Sequence, residues 1–499
     1  MPLVCLTLTG RTIAEDLAVL QRYRGMIDIA ELRVDLLDPG EIFLIRDFPG
    51  LAGLPCVLTL RRRVDGGAFE DGEGVRLVLI AKALAYASPD RLANYAYVDL
   101  EQDFHVPAVE EACRTFGTRI IRSRHFLSQM PEDLDAVWRE LTDNSEEIPK
   151  LAVAIRNAAD LARLYTWSAG LGGGERIIVG MGDFGVPSRI LAARFGSSIT
   201  YTSALAAGQA GGAPGHLDPE AMQASYRFRE IGTATQVYGL AGGKMVVHSR
   251  SPQLHNGAFR AAGIDAVYVP LPAESIDDFM TCAEALDLQG AAVTVPLKED
   301  ILQKLAWRSP EVEDIGACNT IVRRPQGDWA GYNTDAQAFE RSLLEFMGRS
   351  DLKGLQATII GAGGAAKSVA HVAARLGASG LILNRTPITA KNLARRYGFA
   401  WGGCDERSSD LIADHADLII QASSVGMEGS VAGDPLDWYD FRGREAVFDL
   451  IYRPERTLLL ERAAAAGCRV CNGWSMLRYQ AAAQFRIWTG REPPRLYFE

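Results

Sequence analysis

In VYGLAGGKMVVHSRSPQLHN, residues 237–256, the pattern of strands and helices changes from one domain type to another. It predicts an apolar strand, a glycine-rich turn, a second strand over 245–247 and a helix that starts at Pro252. Ser249 and Ser251 lie at the mouth of that helix, where free N–H groups can hold a small carboxylate. A capping serine followed by proline is the alternative explanation.

The composition is that of an ordinary globular protein, with 48% hydrophobic and 23% charged residues. A chain of 499 residues exceeds one core, so two or three domains are expected. The net charge of −10 argues against a nucleic-acid partner or an anionic membrane surface. The N-terminus has no signal pattern, and no apolar run approaches the roughly 20 residues of a membrane helix. A cytoplasmic protein without a membrane partner is therefore predicted.

The eight cysteines are scattered and predict neither a disulfide framework nor a metal site. Cys468 and Cys471 form one close pair, but no second pair completes a zinc site. No metal is expected.

The first 225 residues show a repeated strand–helix pattern. Eight such units in about 220 residues predict a (β/α)8 barrel, whose chemistry lies at the carboxyl ends of the strands. An open doubly wound sheet is the alternative. The predicted strands are 3–9, 27–36, 55–61, 95–101, 118–126, 149–155, 175–182 and 198–204.

Charged residues recur where these strands end. Glu31, Arg33 and Asp35 alternate with apolar residues in the second strand and therefore share one face. Further charged or titratable residues end the third, fourth and fifth strands or follow the seventh, and they are Arg61, Asp99, Glu101, His125 and Arg189. Charges gathered at a barrel mouth indicate a site for an anionic, polyhydroxylated ligand.

Lys150 lies inside the apolar strand PKLAVAI. A lysine can act as a nucleophile only when apolar surroundings and nearby cations favour its neutral form. Such a lysine can form an imine with a ketone, and a neighbouring base such as His125 can then remove the adjacent proton. The alternative is a lysine whose stem packs in the strand and whose ammonium reaches water.

Seven motifs in order resemble those of type I 3-dehydroquinate dehydratase over the first 225 residues. They are ELRVD (31–35), TLRRRVDGG (59–67), DLE (99–101), SRHF (123–126), IPKLAV (148–153), SRILAARFGS (188–197) and GGAPGHLD (211–218). The resemblance implies that Lys150 is the Schiff-base lysine and His125 the acid/base. It implies that the remaining site residues bind the substrate: Glu31, Arg33, Arg61 and Asp65 at the ring and hydroxyls, Arg189 at the carboxylate, and His216 on the closing loop.

Three residues depart from this family pattern. Asp65 stands where the family has glutamate, and Gly212 and His216 stand where its closing loop has serine and glutamine. The loop loses a hydroxyl and exchanges an amide for an imidazole, so the contacts of the lid are expected to differ.

The second half contains a nucleotide-binding pattern at LQATIIGAGGAAKSVAHVAARLG, residues 355–377. An apolar strand runs into a glycine-rich turn and then a helix, which is the context that makes this motif specific. The turn residues expected at the cofactor are Gly361, Ala362, Gly363, Gly364, Ala365 and Ala366. The next strand ends in Asn384, Arg385 and Thr386, where an NAD site would carry an acid; an arginine favours a 2′-phosphate and hence NADP. Lys391 is expected to assist from the following helix.

Further motifs in this half resemble shikimate dehydrogenase: HSRSPQLHN, VTVPLKE, GACNT, YNTDA, GAGGAA, NRT, ASSVGM, DLIYRP and GWSMLRYQAAAQF. The resemblance implies that Lys298 and Asp335 form the catalytic pair and that Ser249 and Ser251 bind the substrate carboxylate. It also implies that Thr294, Asn319, Gln480 and Gln484 bind ring hydroxyls and that Tyr452 and Gly473 line the site. Asn319, Asn333, Thr334 and Asp335 are expected on loops, and Ala292 departs from the family's usual asparagine.

Together the halves predict an α/β protein that dehydrates 3-dehydroquinate and then reduces 3-dehydroshikimate to shikimate with NADPH. The predicted boundaries are 1–225 for the barrel, 226–236 for a linker, 237–340 for a substrate-binding domain completed by a C-terminal helix over 474–499, and 341–473 for a Rossmann domain. The alternative is that only the dehydrogenase half, acting on shikimate or quinate, is active and that the barrel senses a ligand. Small molecules are the expected partners, and monomer and homodimer both stay open.

Overall fold

The structure is a computed structural model that describes residues 1–85, 87–204 and 215–495. Close contacts divide the chain into two compact units. The first comprises residues 1–238, 246–256 and 265–288, and the second comprises residues 239–245, 257–264 and 289–499. The predicted domain boundaries stay predictions.

The first sheet confirms the predicted barrel. Its eight parallel strands are hydrogen-bonded in the order β7-β6-β5-β4-β3-β2-β1-β8. The start of β8 reaches β7 through the Ser198 N–H, which donates to the Arg176 carbonyl at 2.7 Å. The strands are β1 (Leu3–Leu8), β2 (Ile29–Arg33), β3 (Cys56–Thr59), β4 (Tyr97–Glu101), β5 (Arg119–Phe126), β6 (Ile148–Ala154), β7 (Ile177–Met181) and β8 (Ile199–Ser203).

Helices follow the strands as a (β/α)8 barrel requires. They are α1 (Ile13–Tyr23), α2 (Phe48–Ala52), α3 (Glu73–Leu84), α4 (Pro107–Phe116), α5 (Leu134–Leu141), α6 (Ala158–Ala169), α7 (Val186–Ile190) and α8 (Pro219–Ala224).

The register of the strands brings the polar residues to one level of the barrel. Thr59 pairs with Asp99, and Ser123 pairs with Lys150. All strands run in the same direction, so these side chains meet at the carboxyl end. The interior below them is an apolar layer that includes Ile29, Val57, Ile121, Ile148 and Ile177.

The next part of the chain alternates strands and helices less regularly. Its elements are β9 (Gln236–Gly242), α9 (Ser251–Ala261), β10 (Ala266–Pro272), α10 (Ile276–Ala285), β11 (Leu288–Val293), β12 (Trp307–Arg308), α11 (Pro310–Ile315), β13 (Thr320–Arg323), β14 (Trp329–Tyr332) and α12 (Thr334–Met347). In the second sheet β13 pairs antiparallel with both β11 and β14, and β12 pairs parallel with β14.

Two predictions for this region are wrong. Residues 245–247 belong to a 3-10 turn over Lys244–His248 rather than to a strand. The Ser249 N–H bonds the Val246 carbonyl at 3.2 Å, so the chain turns before it could pair as a strand. Thr334 and Asp335 lie in the first turn of α12 rather than on a loop, because the Asn333 side chain caps that helix by accepting from the Ala336 N–H.

The remaining strands form a doubly wound parallel sheet of the Rossmann type, as predicted. Six parallel strands stand in the order β17-β16-β15-β18-β19-β20. This order leaves a crevice at the carboxyl ends of β15 and β18, where the direction of winding reverses. The elements are β15 (Gln356–Ile360), α13 (Gly364–Arg375), β16 (Ser379–Asn384), α14 (Pro387–Arg395), β17 (Ala400–Gly403), α15 (Ser409–Ala413), β18 (Leu418–Gln421), β19 (Ala446–Asp449), α16 (Leu458–Ala465), β20 (Arg469–Cys471) and α17 (Trp474–Thr489).

Helix α17 is shorter than predicted. It ends at Thr489, where Gly490 takes the left-handed conformation at φ 65°, instead of continuing toward residue 499. Glycine adopts that conformation without steric cost and is the usual residue after a helix end.

The predicted linker over 226–236 packs within the first unit. Tyr226, Phe228 and Ile231 are buried. Arg229 forms an ion pair with Asp28 at 3.0 Å. Burial of these three apolar side chains holds the short segment in place.

Candidate active sites

Lys150 stands at the centre of the polar layer of the barrel. It is 5% exposed, and its Nζ atom donates to Asp99 Oδ2 at 2.7 Å. The same Nζ atom lies 4.2 Å from the centre of the Tyr201 ring. A lysine in a closed, partly aromatic environment is suited to form a covalent bond with a ketone.

Asp99 connects Lys150 to its neighbours. Its Oδ1 atom accepts from Ser123 Oγ at 2.5 Å and pairs with Arg61 at 2.8 Å. Burial alone would raise the pKa of Asp99, but the charges of Arg61 and Lys150 outweigh burial and hold it well below its usual range. Asp99 is therefore a carboxylate that keeps the Lys150 amine in place.

His125 lies on the same face of β5 as Ser123, two residues further along the strand. Burial, and then the charges of Arg61 and Lys150, lower the pKa of His125 well below its usual value. Its Nδ1 atom is buried and has no hydrogen-bond partner among residues 1–85, 87–204 and 215–495. A neutral imidazole next to the lysine can act as a base.

Glu31 and the Arg33–Asp35 pair belong to the same polar layer. Glu31 accepts from Thr7 Oγ1 at 2.7 Å and from Thr59 Oγ1 at 2.8 Å. Arg33 donates to both carboxylate oxygens of Asp35, at 2.9 and 2.7 Å. These contacts fix two side chains that the sequence assigns to the substrate.

Asp65 lies in a 3-10 turn beyond β3 and pairs with Arg62 at 2.6 Å. Its carboxylate is thus held by the neighbouring arginine, which also pairs with Asp103 at 2.8 Å. The structure does not place Asp65 in the hydrogen-bonded layer around Lys150.

Arg189 and His216 reach the mouth of the barrel from the last two strand–helix units. Arg189 is 2% exposed and donates to the Tyr201 carbonyl at 3.4 Å, and burial lowers its pKa to about 9. Burial, and then the charges of Arg189, Lys150 and Arg33, lower the pKa of His216 well below its usual value. Gly212, the other departure of the closing loop, lies outside the described residues.

Two residues around Lys150 received no role from the sequence: Ser123 and Tyr201. Asp99 was expected only as one of the charges at the barrel mouth. Asp99 in YVDLE interrupts an apolar strand, and Tyr201 in ITYTS alternates with two threonines, where a barrel strand usually carries branched apolar side chains.

The second site is built around Lys298 and Asp335. Lys298 is 9% exposed, and its Nζ atom donates to Asp335 Oδ2 at 2.5 Å. Asp335 is 2% exposed, and its other oxygen accepts from Asn319 Nδ2 at 2.7 Å. A buried ion pair of this kind holds the Lys298 side chain in position.

Asn319 is a hub for the groups around Asp335. Its amide also bonds Thr334, donating to Oγ1 at 2.9 Å and accepting from the backbone N–H at 2.7 Å. Gln484 donates from Nε2 to Thr320 Oγ1 at 3.0 Å. Asn319 therefore positions the acid of the pair, a role the sequence did not predict.

The glycine-rich turn between β15 and α13 brings the nucleotide-binding helix against the lysine. A side chain at Gly364 would come within 3.0 Å of Lys298 Cδ. At Gly361, φ is +109°, and a Cβ would come within 3.1 Å of the backbone of Ala422 and Ser423. Gly363 faces open space, as a turn that cradles a pyrophosphate requires.

The residues predicted for the 2′-phosphate do not all lie at the end of β16. Arg385 and Thr386 are exposed just beyond the end of β16, and Asn384 donates to the Thr386 carbonyl at 3.1 Å. Lys391 instead lies over the Trp401 ring, 5.0 Å from its centre. The Lys391 ammonium therefore lies beside β17, and its predicted contact with the cofactor stays a prediction.

The other residues predicted to bind the substrate of this half are Ser249, Ser251, Thr294 and Gln480. Ala292 is the residue that departs from the family pattern. Ser251 donates its N–H to Ser249 Oγ at 3.1 Å, and the two hydroxyl oxygens are 3.1 Å apart. Thr294 follows β11 and donates its N–H to the Ala241 carbonyl at 2.8 Å. Gln480 lies one turn before Gln484 on α17, so both point to a similar side of that helix. Ala292 is buried opposite Thr320.

Tyr452 and Gly473 come from two loops that pack together. The Gly473 N–H donates to the Ile451 carbonyl at 3.0 Å. Tyr452 lies 6.4 Å from Trp474, measured between ring centres. A Cβ at position 473 would come within 1.9 Å of the Leu450 carbonyl oxygen, so no other residue fits there without moving the backbone.

We expect Gly473→Ala to lower the free energy of unfolding by about 1–3 kcal/mol, because the new methyl group must displace the Leu450 carbonyl. The dehydrogenase rate should fall with it, while the barrel activity stays. Urea unfolding and separate assays of the two reactions measure this. Gly232→Ala, where the nearest atom is 3.9 Å away, is the matched control and should change neither quantity. Equal effects of both variants would contradict the account.

Asp449, at the end of β19, makes the stability of this region depend on pH. Burial raises its pKa to about 7 from 3.8, although it accepts from the Ile451 N–H and from Thr457 Oγ1. Because the folded state holds the proton more tightly, the free energy of unfolding should fall as pH rises from about 4 to about 7.

Asp449→Asn should remove this pH dependence and be more stable than the native chain above pH 7, by about 2 kcal/mol or more. Urea unfolding on both sides of this pH window measures it. Asp410→Asn, on the exposed side of α15, is the control and should leave the pH dependence unchanged. A pH-independent native chain would refute the assignment.

Among the described residues, no cluster of three or more histidine, cysteine or acidic side chains could hold a metal ion. In the same part of the chain, no helix is both long and apolar enough to cross a membrane.

Family comparisons match both halves. The family described as type I 3-dehydroquinase matches residues 4–233. The shikimate dehydrogenase substrate binding domain matches residues 242–321, and the shikimate 5'-dehydrogenase C-terminal domain matches residues 473–498. The matched ranges contain Lys150 with its barrel neighbours and Lys298 with Asn319, whereas Asp335 lies beyond residue 321.

Known relatives agree. The chain is 32% identical over 493 residues to the chloroplastic bifunctional 3-dehydroquinate dehydratase/shikimate dehydrogenase of Arabidopsis thaliana, covering 95% of this chain and 79% of the relative. It is 42% identical to the NADP(+) shikimate dehydrogenase of Moorella thermoacetica, over 50% of this chain and 88% of that one. A structure of shikimate 5-dehydrogenase from Thermus thermophilus with NADP(H) and shikimate is 33% identical, with a TM-score of 0.46, over 53% of this chain and 97% of that one. The chain therefore belongs to the family of bifunctional 3-dehydroquinate dehydratase/shikimate dehydrogenases and joins a lyase and an oxidoreductase in one polypeptide.

Proposed function

We propose that Lys150 carries the dehydration by forming a Schiff base with 3-dehydroquinate, and that Lys298 and Asp335 carry the reduction of 3-dehydroshikimate with NADPH as cofactor. The observation that supports the first proposal most directly is the burial of Lys150 between Asp99 and Tyr201. For the second it is the buried Lys298–Asp335 pair beside the glycine-rich turn.

In the first reaction the Lys150 amine attacks the ketone carbon of the substrate, and the ketone oxygen leaves as water after it takes one proton from the amine and one from the solvent. The resulting iminium draws electrons from the neighbouring carbon. Neutral His125 removes a proton there, and the electron pair forms a double bond as the adjacent hydroxyl leaves. His125 returns its proton to that hydroxyl, so that water departs, and a further water hydrolyses the imine to regenerate Lys150.

The other barrel residues orient the substrate. Arg189 is buried near the mouth of the barrel, and its guanidinium would bind the substrate carboxylate in a bidentate contact. Glu31, Arg33 and Arg61 are fixed by neighbours and present hydrogen-bonding groups to the hydroxyls. His216, near Arg189, contacts the substrate from the closing loop. Asp65 takes part through its hold on Arg62.

Borohydride trapping tests the Schiff base. Reduction in the presence of 3-dehydroquinate should fix one substrate-derived group per chain on the peptide that contains Lys150. The Lys150→Ala variant should trap none, and Lys82→Ala, an exposed lysine of α3, is the control that should trap as the native chain does. Label found elsewhere, or none in the native chain, would refute the assignment and favour a barrel that only binds a ligand.

In the second reaction the Lys298 ammonium stabilises and protonates the oxygen that becomes a hydroxyl. Asp335 keeps that lysine in place, and Asn319 keeps Asp335 in place. Ser249 and Ser251 hold the substrate carboxylate in this proposal, as their resemblance to the family motif implies.

The turn at 361–366 fits a dinucleotide. Its glycines leave room at the start of α13, and the crevice between β15 and β18 lies beside it. NADPH supplies a hydride when it is bound there. Exposed Arg385 and Thr386 would contact the 2′-phosphate.

Arg385→Ala should raise the KM for NADPH by about tenfold and leave the KM for NADH nearly unchanged, because only NADPH carries the charge that the guanidinium binds. Initial rates with each cofactor measure this. Lys391→Ala is the matched control, since its ammonium lies over Trp401, and a smaller change is expected. A native chain that prefers NADH would contradict the proposal.

A further inference from the structure

Arg76 lies on helix α3, outside the barrel interior, yet its side chain is completely buried. Its Nε atom donates to the Leu60 carbonyl at 2.9 Å, and its Nη2 atom donates to the Glu101 carboxylate. The guanidinium also lies 4.7 Å from the centre of the Phe104 ring. Burial of a charge is costly unless partners compensate it, and Arg76 has two, Glu101 and, at 3.2 Å, Glu73.

From Arg76 an unbroken series of ion pairs leads to Lys150. Glu101 binds Arg76 with one oxygen and Arg61 with the other, at 3.0 Å. Arg61 binds Asp99 at 2.8 Å, and Asp99 binds Lys150 at 2.7 Å. The five side chains are 0, 3, 5, 0 and 6% exposed in this order, so water screens none of the pairs effectively.

We propose that Arg76 is a positioning residue for Lys150, because it holds Glu101 and thereby leaves the Arg61 guanidinium directed at Asp99. Without Arg76, Glu101 would draw Arg61 toward itself. Asp99 would lose part of its hold on Arg61 and bind the Lys150 ammonium more strongly. The inference rests on the proposed Schiff-base role of Lys150.

The charges around Lys150 determine the direction in which the pH profile of dehydration should shift. The charged side chains there are Asp99, Glu101, Glu31, Arg61, Arg33 and Arg189. The other titratable groups there are His125, His216, Tyr201 and Cys5. The loss of one buried cation makes this region more negative and favours bound protons in it, so dehydration should need a higher pH.

Arg76→Gln in the full-length chain tests this. The acid limb of the pH profile for dehydration should move to higher pH by about half a unit or more, and the rate at neutral pH should fall several-fold. Arg76→Lys retains a cation, so its acid limb should stay near that of the native chain. A lysine ammonium lacks the planar fork with which arginine bonds the Leu60 carbonyl and the Glu101 carboxylate together. The rate of borohydride trapping of Arg76→Lys should therefore still fall several-fold, with little change in the KM for 3-dehydroquinate.

Arg122→Gln is the matched control. Arg122 is also buried, but its ion pairs end at Glu110 and Glu147, and it reaches Glu101 through the backbone carbonyl, at 3.2 Å, rather than through the carboxylate. We expect this variant to lower stability as Arg76→Gln does without moving the acid limb. The dehydrogenase activity of each preparation provides a check on concentration.

The outcomes separate this inference from the function on which it rests. If the native chain is not trapped at Lys150, the proposed function fails. If it is trapped but Arg76→Gln has the native acid limb, or moves it no further than Arg122→Gln does, the inference fails. If Arg76→Gln does not fold, Arg76→Lys decides, because native trapping kinetics in that variant would overturn the positioning role.

Discussion

Lys150→Ala should reduce the dehydration of 3-dehydroquinate by on the order of 10⁴-fold or more, because it removes the nucleophile and with it the iminium that makes the neighbouring proton acidic. No other lysine can substitute, since Lys150 is the residue held by Asp99 and Tyr201 at the centre of the polar layer. Formation of the conjugated product, followed by its absorbance, measures the loss.

The same variant provides its own control, because the dehydrogenase half keeps its catalytic pair. Lys150→Ala should reduce added 3-dehydroshikimate at the native rate. Lys82→Ala should retain both reactions. A Lys150→Ala protein that dehydrates within about tenfold of the native rate would exclude the Schiff-base mechanism.

Lys298→Ala should reduce the second reaction by about 10³-fold or more, because the developing negative charge on oxygen loses both its stabilising ammonium and its proton donor. It should also leave Asp335 as a buried, uncompensated acid, which costs several kcal/mol of stability. Oxidation of NADPH by 3-dehydroshikimate measures the rate, and urea unfolding measures the stability.

Lys298→Met also removes the charge but fills the space beside Gly364, so a loss of rate in this variant cannot come from a cavity. Asp335→Asn should also lower the rate, because it loosens the ammonium from its position. Both variants should dehydrate 3-dehydroquinate normally. A rate for Lys298→Met near that of the native chain would contradict the assigned role.

Sequence patterns predicted most of the fold because both halves are built from regular strand–helix units. The eight barrel strands and the strand–glycine turn–helix of residues 355–377 follow from periodicity, and their register then brings distant charges together. The strand predicted over 245–247 was wrong because three apolar residues fit a 3-10 turn as well as a strand.

The candidate residues were harder to predict in their detailed roles. Asn319 was expected at the substrate, but its amide bonds Asp335 and Thr334, contacts that sequence spacing does not reveal. Lys391 was expected near the cofactor, but a long flexible side chain can lie over an aromatic ring on the next strand. Arg76 carries no motif, and only its complete burial draws attention to it.

We conclude that one chain carries out both reactions in sequence. A coupled assay tests it most directly: the full-length chain is given 3-dehydroquinate and NADPH, and nicotinamide absorbance is followed. We predict that NADPH is consumed, that Lys150→Ala consumes it only after 3-dehydroshikimate is added, and that Lys298→Ala does not consume it with either substrate. A native chain that consumes NADPH only when supplied with 3-dehydroshikimate would contradict the account, because the barrel would then bind its ligand without converting it.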